Sequence, residues 1–72
     1  MVSLADKKNG FLGTVARLVG DKVLVERLAE LGIIPGSEVS ITGLIAFGDP
    51  LLVEVRETRI ALRKSEAYCV LF

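Results

Sequence analysis

The sequence predicts a mainly β protein: a small antiparallel barrel of about five short strands, with one short α-helix between strands 1 and 2. Two observations lead to this fold class. From Glu38 onward, apolar and polar residues alternate with a period of two, which is typical of half-buried strands. Before that point, only the stretch after Asp21 has helical spacing. Closure into a barrel would pair the strand edges that such apolar strands otherwise expose.

The chain has 72 residues, which we interpret as one domain spanning residues 1–72. A domain of this size buries only about 60% of the surface of its unfolded chain, so its core is thin. Small domains often depend on disulfides or metals, but this chain has one cysteine and no histidine. Its hydrophobic content of 51% is the expected compensation.

Charge and hydropathy exclude several classes of partner. Nine basic and nine acidic side chains give a formal net charge of zero, so no overall field would attract the chain to nucleic acid or to an anionic membrane. Every apolar run is far shorter than the roughly 20 residues that span a bilayer. The start, MVSLADKKNG, lacks the apolar segment of a signal peptide. Together with a cysteine that has no partner, these features predict a cytoplasmic protein.

The first predicted strand follows a turn at Lys8–Gly10 and runs from about Gly13 to Val19. Its residues are mainly β-branched or apolar. Gly13 is a candidate for a β-bulge, because an isolated glycine within a strand pattern often marks one.

The helix is the element with the clearest boundaries. Asp21 is the expected N-cap, since its side chain can accept a hydrogen bond from the free amides of the first turn of KVLVERLAEL. Gly32 is the expected C-terminal cap. One face carries an apolar stripe with helical spacing: Leu24, Leu28 and Leu31.

The second half of the chain is predicted to be all strand and turn. Pro35–Gly36 fits the two central positions of a type II turn. The alternating positions that share one side of the following strands are Val39, Ile41, Leu51, Val53, Val55, Thr58, Ile60 and Leu62. Lys64–Glu66 interrupts this pattern, as a single helical turn would, and AYCVLF forms the last short strand.

The segment IAFGDP, residues 45–50, joins two of these strands. Gly48 can supply the positive φ of a turn, Asp49 can accept hydrogen bonds from nearby backbone amides, and Pro50 can begin a strand without a backbone donor. These roles are structural, and no glycine-rich phosphate-binding pattern is present. Ile45 and Phe47 are different, because a turn does not need two large apolar residues. They predict either a partner surface or a loop that folds back over a mouth of the barrel.

Metal and catalytic chemistry are not expected. Ferrous iron commonly takes His, Cys or carboxylate ligands, and the carboxylates here are scattered singly. Asp49, Glu54 and Glu57 could approach one another, but each is more simply a solvated strand or turn residue. Cys69 has no His to activate it. The sequence therefore predicts no metal site, no cofactor and no enzyme.

A nucleic-acid module is the stronger rival, since small barrels often bind RNA or DNA. Three arginines, Arg56, Arg59 and Arg63, could form a basic strip. Three acidic residues interleave with them: Glu54, Glu57 and Glu66. Opposite charges across strands are an ordinary feature of a polar sheet face, and no aromatic platform accompanies the arginines. We therefore expect no nucleic-acid binding.

Three ordered motifs carry a resemblance to a known family: RLAELGIIPG, then GDP, then VRETRIALRKSEA followed by a terminal apolar strand. In this order and spacing, they resemble the FeoA family of small cytoplasmic accessory proteins of bacterial ferrous-iron uptake. The resemblance implies an SH3-like barrel. Two positions differ from the family pattern. Ala46 stands where proline is common, and Glu57 stands where glycine is common in a tight turn, although a glutamate at positive φ is unusual.

The resemblance also implies a non-catalytic, regulatory role through contact with the cytosolic face of FeoB, a membrane transporter that carries a GTPase domain. The chain would then reach the membrane only through this partner. The predicted contact residues are the apolar Leu44, Ile45, Phe47 and Leu52, with Arg56, Arg59 and Arg63 at the rim, where charges affect the rate of approach more than affinity.

Two alternatives stay open beside this hypothesis. One is a regulatory module similar to the C-terminal barrel of iron-dependent repressors. The other is a self-associating homo-oligomer. The family pattern implies that Val70 and Phe72 face inward, which would turn Cys69 and Leu71 outward on the terminal strand. That strand could accept a second molecule by strand addition, or be covered by the helix or the N-terminal segment.

Overall fold

A computed structural model describes all of residues 1–72. It contains six strands and two helices, connected by short turns. In chain order they are β1 (Leu12–Thr14), β2 (Arg17–Leu18), α1 (Lys22–Glu30), β3 (Glu38–Leu44), β4 (Leu51–Val55), β5 (Thr58–Leu62), α2 (Lys64–Ala67) and β6 (Val70–Leu71). The strands form a four-stranded antiparallel sheet of order β1-β3-β4-β5 and a two-stranded antiparallel sheet, β2-β6. The predicted mainly β architecture with one main helix is confirmed.

The prediction of one continuous strand from Gly13 to Val19 is wrong. The chain stays extended there, but it changes sheets at Val15 and Ala16. The amide of Val15 donates to the carbonyl of Ser37 on one side, and the amide of Ala16 donates to the carbonyl of Leu71 on the other, both at 2.8 Å. One extended segment thus serves two sheets, and local alternation cannot reveal that division.

The β-bulge is also not at Gly13, whose register with Val39 is regular. The irregularity lies between Ile41 and Gly43, where β3 pairs with β4. Gly13 is needed for a different reason. A Cβ atom at this position would lie 2.5 Å from the ring of Phe11, which covers the glycine.

The core is formed mainly by the inward positions of β3, β4 and β5, with α1 packed against them. Twelve buried apolar residues make up this cluster: Leu4, Val15, Leu28, Ile33, Val39, Ile41, Leu51, Val53, Val55, Leu62, Ala67 and Val70. The alternation predicted for β3 and β4 is therefore confirmed. On β5, Leu62 is buried and Ile60 is half-buried, whereas Thr58 is exposed at the strand end.

Both caps of α1 are confirmed. The amide of Leu24 donates to the Asp21 carboxylate at 2.9 Å. At the other end Gly32 has φ +95°, and the amide of Ile33 donates to the carbonyl of Leu28 at 2.9 Å. This is the hydrogen-bond pattern of a Schellman motif. The apolar residues at its two contact positions, Leu28 and Ile33, are both buried. Of the predicted stripe, Leu28 is fully buried, and Leu24 and Leu31 pack at the edge of the core.

The turn after the helix has the features predicted for type II. Gly36 has φ +93°, and the amide of Ser37 donates to the carbonyl of Ile34 at 2.9 Å. The buried Ser37 hydroxyl also donates to the carbonyl of Gly32 at 2.8 Å. That second bond links the turn to the C-terminal end of α1.

The N-terminal segment is part of the fold. Leu4 lies in a short 3-10 turn and is completely buried. Val2 and Phe72 exchange two backbone hydrogen bonds, at 3.2 and 2.9 Å, and Ser3 pairs with Leu71. Strand β6 is therefore paired on both edges, with β2 on one side and the N-terminal segment on the other. Of the two alternatives for the terminal strand, coverage by the N-terminal segment is the one observed, and strand addition at β6 is not available.

The predicted helical turn after β5 is confirmed as α2, and it contains a buried carboxylate. Glu66 accepts a hydrogen bond from the amide of Arg63 at 2.9 Å and forms an ion pair with Arg27 of α1 at 3.1 Å. The expectation that Glu66 interleaves with the surface arginines is therefore wrong. The carboxylate is buried because it satisfies a backbone donor and a guanidinium at once.

The hairpin between β4 and β5 turns in two residues, both in the left-handed region. Arg56 has φ +51° and Glu57 has φ +64°. This is the backbone of a type I′ turn, which normally favours Asn-Gly. The tight turn is thus kept in spite of the glutamate, at a cost of about 1–2 kcal/mol for each residue that is not glycine.

We expect Glu57→Gly to stabilise the protein by about 0.5–1 kcal/mol, because relief of the left-handed strain exceeds the extra chain entropy that glycine loses on folding. Urea unfolding measures the change. Glu26→Gly is the matched control, since Glu26 is exposed within α1 and the same replacement there should destabilise by about 1 kcal/mol. Destabilisation by Glu57→Gly would contradict the strained turn.

Candidate protein-contact loop

The connection between β3 and β4 presents apolar side chains to solvent. We call residues Leu44–Gly48 the apolar loop. Leu44 and Ile45 are each 47% exposed, and Phe47 is fully exposed. The alternative in which this segment folds back over a mouth of the barrel is wrong, because the largest side chain of the loop has no cover from the chain itself. Exposed apolar clusters of this kind are typical of partner surfaces.

The backbone of the apolar loop is left-handed over three consecutive residues. Ala46 has φ +43°, Phe47 has φ +66° and Gly48 has φ +85°. The loop is closed by the carbonyl of Ile45, which accepts hydrogen bonds from the amides of Gly48 and Asp49 at 2.9 and 2.8 Å. The predicted turn role of Gly48 is confirmed. The non-glycine residues hold the aromatic side chain outward in a conformation that an L-residue rarely adopts.

Ala46 explains one departure from the family pattern. Proline, the common residue at this position, has φ fixed near −65° and cannot take a φ of +43°. The substitution therefore permits a backbone that proline would exclude.

Asp49 fixes the base of the apolar loop to α2. Its Oδ1 accepts a hydrogen bond from the backbone amide of Lys64 at 3.1 Å. The sequence predicted an aspartate that binds backbone amides, which is confirmed, but the amide belongs to a residue distant in the chain. The base of the loop and the start of α2 are thereby held together.

Leu52 does not belong to the apolar loop. It is half-buried on the outer face of the large sheet, in register with Gly43 on one side and Ala61 on the other. A methyl of Leu52 lies 3.2 Å from the position that a Cβ of Gly43 would take, so the leucine covers the bare backbone of its neighbour. Part of its apolar surface is already used within the fold.

The three arginines do not form one strip beside the apolar loop. Arg56 lies in the β4–β5 turn, and Arg63 follows the last residue of β5. At about 3.3 Å per residue they stand at opposite ends of this strand. Arg59 lies between them and is 3.9 Å from Glu54. Only Arg63 is near the apolar loop, because it precedes Lys64, whose amide binds Asp49.

A groove lies at the other end of the sheet. It is an open groove of about 630 Å³ between the type II turn and the β4–β5 turn, lined by residues that include Leu12, Ile34, Glu38, Glu54 and Glu57. Asp49 lies at the opposite end of β4, so the three carboxylates that could have approached one another are not together. No group of three residues suited to hold a metal ion is present.

Cys69 lies against Gly20, and its thiol is 3.7 Å from the carbonyl of Ser65. Burial raises the pKa of the Cys69 thiol, and the carboxylates of Asp21 and Glu66 raise it further. This environment disfavours the thiolate, the form that acts as a nucleophile or metal ligand.

Comparison with protein families decides the class of this chain. The model of the FeoA domain matches residues 2–71. The chain belongs to the FeoA family. Comparison with curated proteins gives no match. No helix has the length and apolar character that crossing a membrane requires.

Solved structures of FeoA proteins have the same fold. A FeoA-like protein from Clostridium acetobutylicum is 28% identical, with a TM-score of 0.89 over 97% of this chain and 81% of that one. The FeoA of Stenotrophomonas maltophilia, solved in complex with zinc and described as a prokaryotic SH3 domain protein, is 33% identical, with a TM-score of 0.85 over 99% of this chain and 88% of that one. The predicted SH3-like barrel is thus confirmed.

The FeoA fold also occurs in a repressor. A manganese-dependent transcriptional repressor matches with a TM-score of 0.85 at 23% identity, over 96% of this chain but 38% of the repressor. At this identity the similarity shows a common fold.

Proposed function

We propose that this FeoA-family protein is a non-catalytic accessory protein of ferrous iron transport that docks its apolar loop on the cytosolic side of the FeoB transporter. Membership of the family supports the link to ferrous iron transport. The relative from Stenotrophomonas maltophilia is described as a suggested activating factor of bacterial ferrous iron transport. On this proposal the protein works in the cytoplasm and contacts the membrane only through its partner.

The observation that carries the proposal is an exposed phenylalanine on a strained backbone. Two non-glycine residues, Ala46 and Phe47, have positive φ, at a cost of about 1–2 kcal/mol each. The Phe47 side chain does not offset this cost by packing within the fold, because it is exposed to solvent. Strain at an exposed position supports a role outside the folding of the chain itself. Burial of Phe47 by a partner would contribute about 1.5–3 kcal/mol to binding.

On this proposal the other predicted contact residues differ in their distance from the apolar loop. Arg63 stands at the base of the apolar loop and would lie at the rim of the contact, where it affects approach rate and orientation. Arg59 and Leu52, on the outer sheet face, would join a larger contact. Arg56 would take part only if the partner covers the whole length of the sheet.

An NMR titration of the labelled protein with the cytosolic domain of FeoB tests this proposal. We expect chemical-shift changes to cluster on Leu44–Gly48 and on Arg63 and Lys64, the residues that the Asp49 hydrogen bond brings together. Amides that line the distant groove, such as Glu38, are the internal control and should not shift. Chemical-shift changes confined to the groove, or no changes at a millimolar concentration of the partner, would contradict docking by the apolar loop.

A further inference from the structure

The outer edge of β5 is an open strand edge. β5 is the last strand of the large sheet and pairs only with β4. Arg59 and Ala61 are both exposed, and no side chain of the protein bonds to their backbone groups. The edge of β6 is closed by the N-terminal segment, whereas the outer edge of β5 is open to a further strand.

The turn geometry determines which amides of β5 point outward. In a hairpin with a two-residue turn, the residues that flank the turn form a hydrogen-bonded pair, here Val55 and Thr58. Hydrogen-bonded pairs then recur at every second residue, so Ile60 and Leu62 also bond to β4. The N–H and C=O groups of Arg59 and Ala61 therefore point away from β4.

We propose that β5 pairs with β5 of a second copy of this chain, in an antiparallel arrangement centred on Ile60. This register places Arg59 of each copy opposite Ala61 of the other, so that both outward-facing residues form hydrogen-bonded pairs. Each of the two pairs exchanges two bonds, which gives about four backbone hydrogen bonds across the contact.

Charge selects this register among the possible ones. Only registers that pair outward-facing residues satisfy the backbone. If one strand is shifted by two residues in one direction, Arg59 of one copy lies opposite Arg59 of the other. If it is shifted by two residues in the other direction, Arg59 lies opposite Arg63. The register centred on Ile60 avoids both repulsions. It also brings Glu57, in the turn before β5 of one copy, toward Arg63, directly after β5 of the other, so that opposite charges meet at each end of the contact.

The contact is small, so the association is weak and concentration-dependent. It uses the edge of a five-residue strand and a contact between the half-buried Ile60 side chains, without a large apolar surface. The apolar loop lies in another connection and contributes no residue to this pairing. Arg59 and Arg63 are assigned to both contacts, but the pairing is tested on the chain alone, so its outcome does not depend on docking to a transporter.

Sedimentation velocity and amide hydrogen exchange of the purified chain, from low micromolar to millimolar concentration, test the pairing. We expect the sedimentation coefficient to rise toward that of a dimer. Exchange at Arg59 and Ala61 should slow by about tenfold over this range, whereas other edge amides, such as that of Leu12 on β1, should not change. A monomer at millimolar concentration with constant exchange at Arg59 and Ala61 would overturn the proposal.

Two kinds of variant identify the edge and the register. Ala61→Pro removes an outward-facing donor and no hydrogen bond to β4, so it should abolish association while the thermal transition stays cooperative. Glu57→Lys and Arg63→Glu should each weaken association by about tenfold, and the double exchange should restore it. Glu26→Lys, the same charge change on exposed α1, is the control. If the Ala61→Pro variant still dimerises, or if the double exchange does not restore association, this arrangement is excluded.

Discussion

Replacement of Phe47 with Asp should weaken binding to the cytosolic domain of FeoB by a factor on the order of 30, about 2 kcal/mol. The reason is that the substitution removes the largest apolar side chain of the contact and would bury a charge in its place. The free energy of unfolding should change by less than about 0.5 kcal/mol, because the side chain is fully exposed. Isothermal titration calorimetry and urea unfolding measure the two quantities.

Two further variants make this prediction specific. Leu12→Asp is the matched control: Leu12 is an exposed apolar residue, 61% accessible, in the groove at the other end of the sheet. It should not change affinity. Ala46→Pro keeps Phe47 but forces a negative φ at the preceding residue, so it should weaken binding by re-orienting the ring. A large loss of stability in Phe47→Asp, with affinity unchanged, would assign Phe47 to the fold and contradict the docking proposal.

Leu4→Ala should destabilise the protein by about 2–5 kcal/mol. Leu4 is completely buried, and its 3-10 turn packs against α2 and β6. Truncation would leave a cavity where the N-terminal segment meets the core. Because a domain of this size has a total stability of only about 5–10 kcal/mol, the loss would shift the urea midpoint strongly.

Leu12→Ala is the matched control for this change, because the same atoms are removed from an exposed side chain on β1. Its effect on the free energy of unfolding should stay below about 0.5 kcal/mol. Equal effects of the two substitutions would show that the N-terminal segment does not contribute to the core. Hydrogen exchange adds a second measurement, since the amide of Phe72, bonded to Val2, should exchange faster in Leu4→Ala.

Local signals in the sequence were sufficient for the helix and its boundaries. An N-cap, a one-faced apolar stripe and a C-terminal glycine act over distances of three or four residues, so Asp21, Leu28 and Gly32 have the predicted roles. The same holds for the type II turn at Pro35–Gly36 and for the alternation of β3 and β4. Each of these features is stabilised by interactions between neighbours in the chain.

The apolar loop was only partly predictable. Two large apolar residues beside a Gly-Asp-Pro turn indicated an exposed contact surface, and Phe47 is exposed. The left-handed backbone at Ala46 was not indicated, because alanine has no local preference for positive φ. It follows from the closure of the loop between two strands whose register is determined elsewhere.

The sequence alone determined the main helix, the type II turn, the inward face of the central strands and the family. The tertiary structure decided the division of the first strand between two sheets, the burial of Leu4, the pairing of the N-terminal segment with β6 and the ion pair between Arg27 and Glu66. All of these depend on contacts between residues far apart in the chain. Such contacts are selected by the free energy of the whole fold, so no short sequence pattern specifies them.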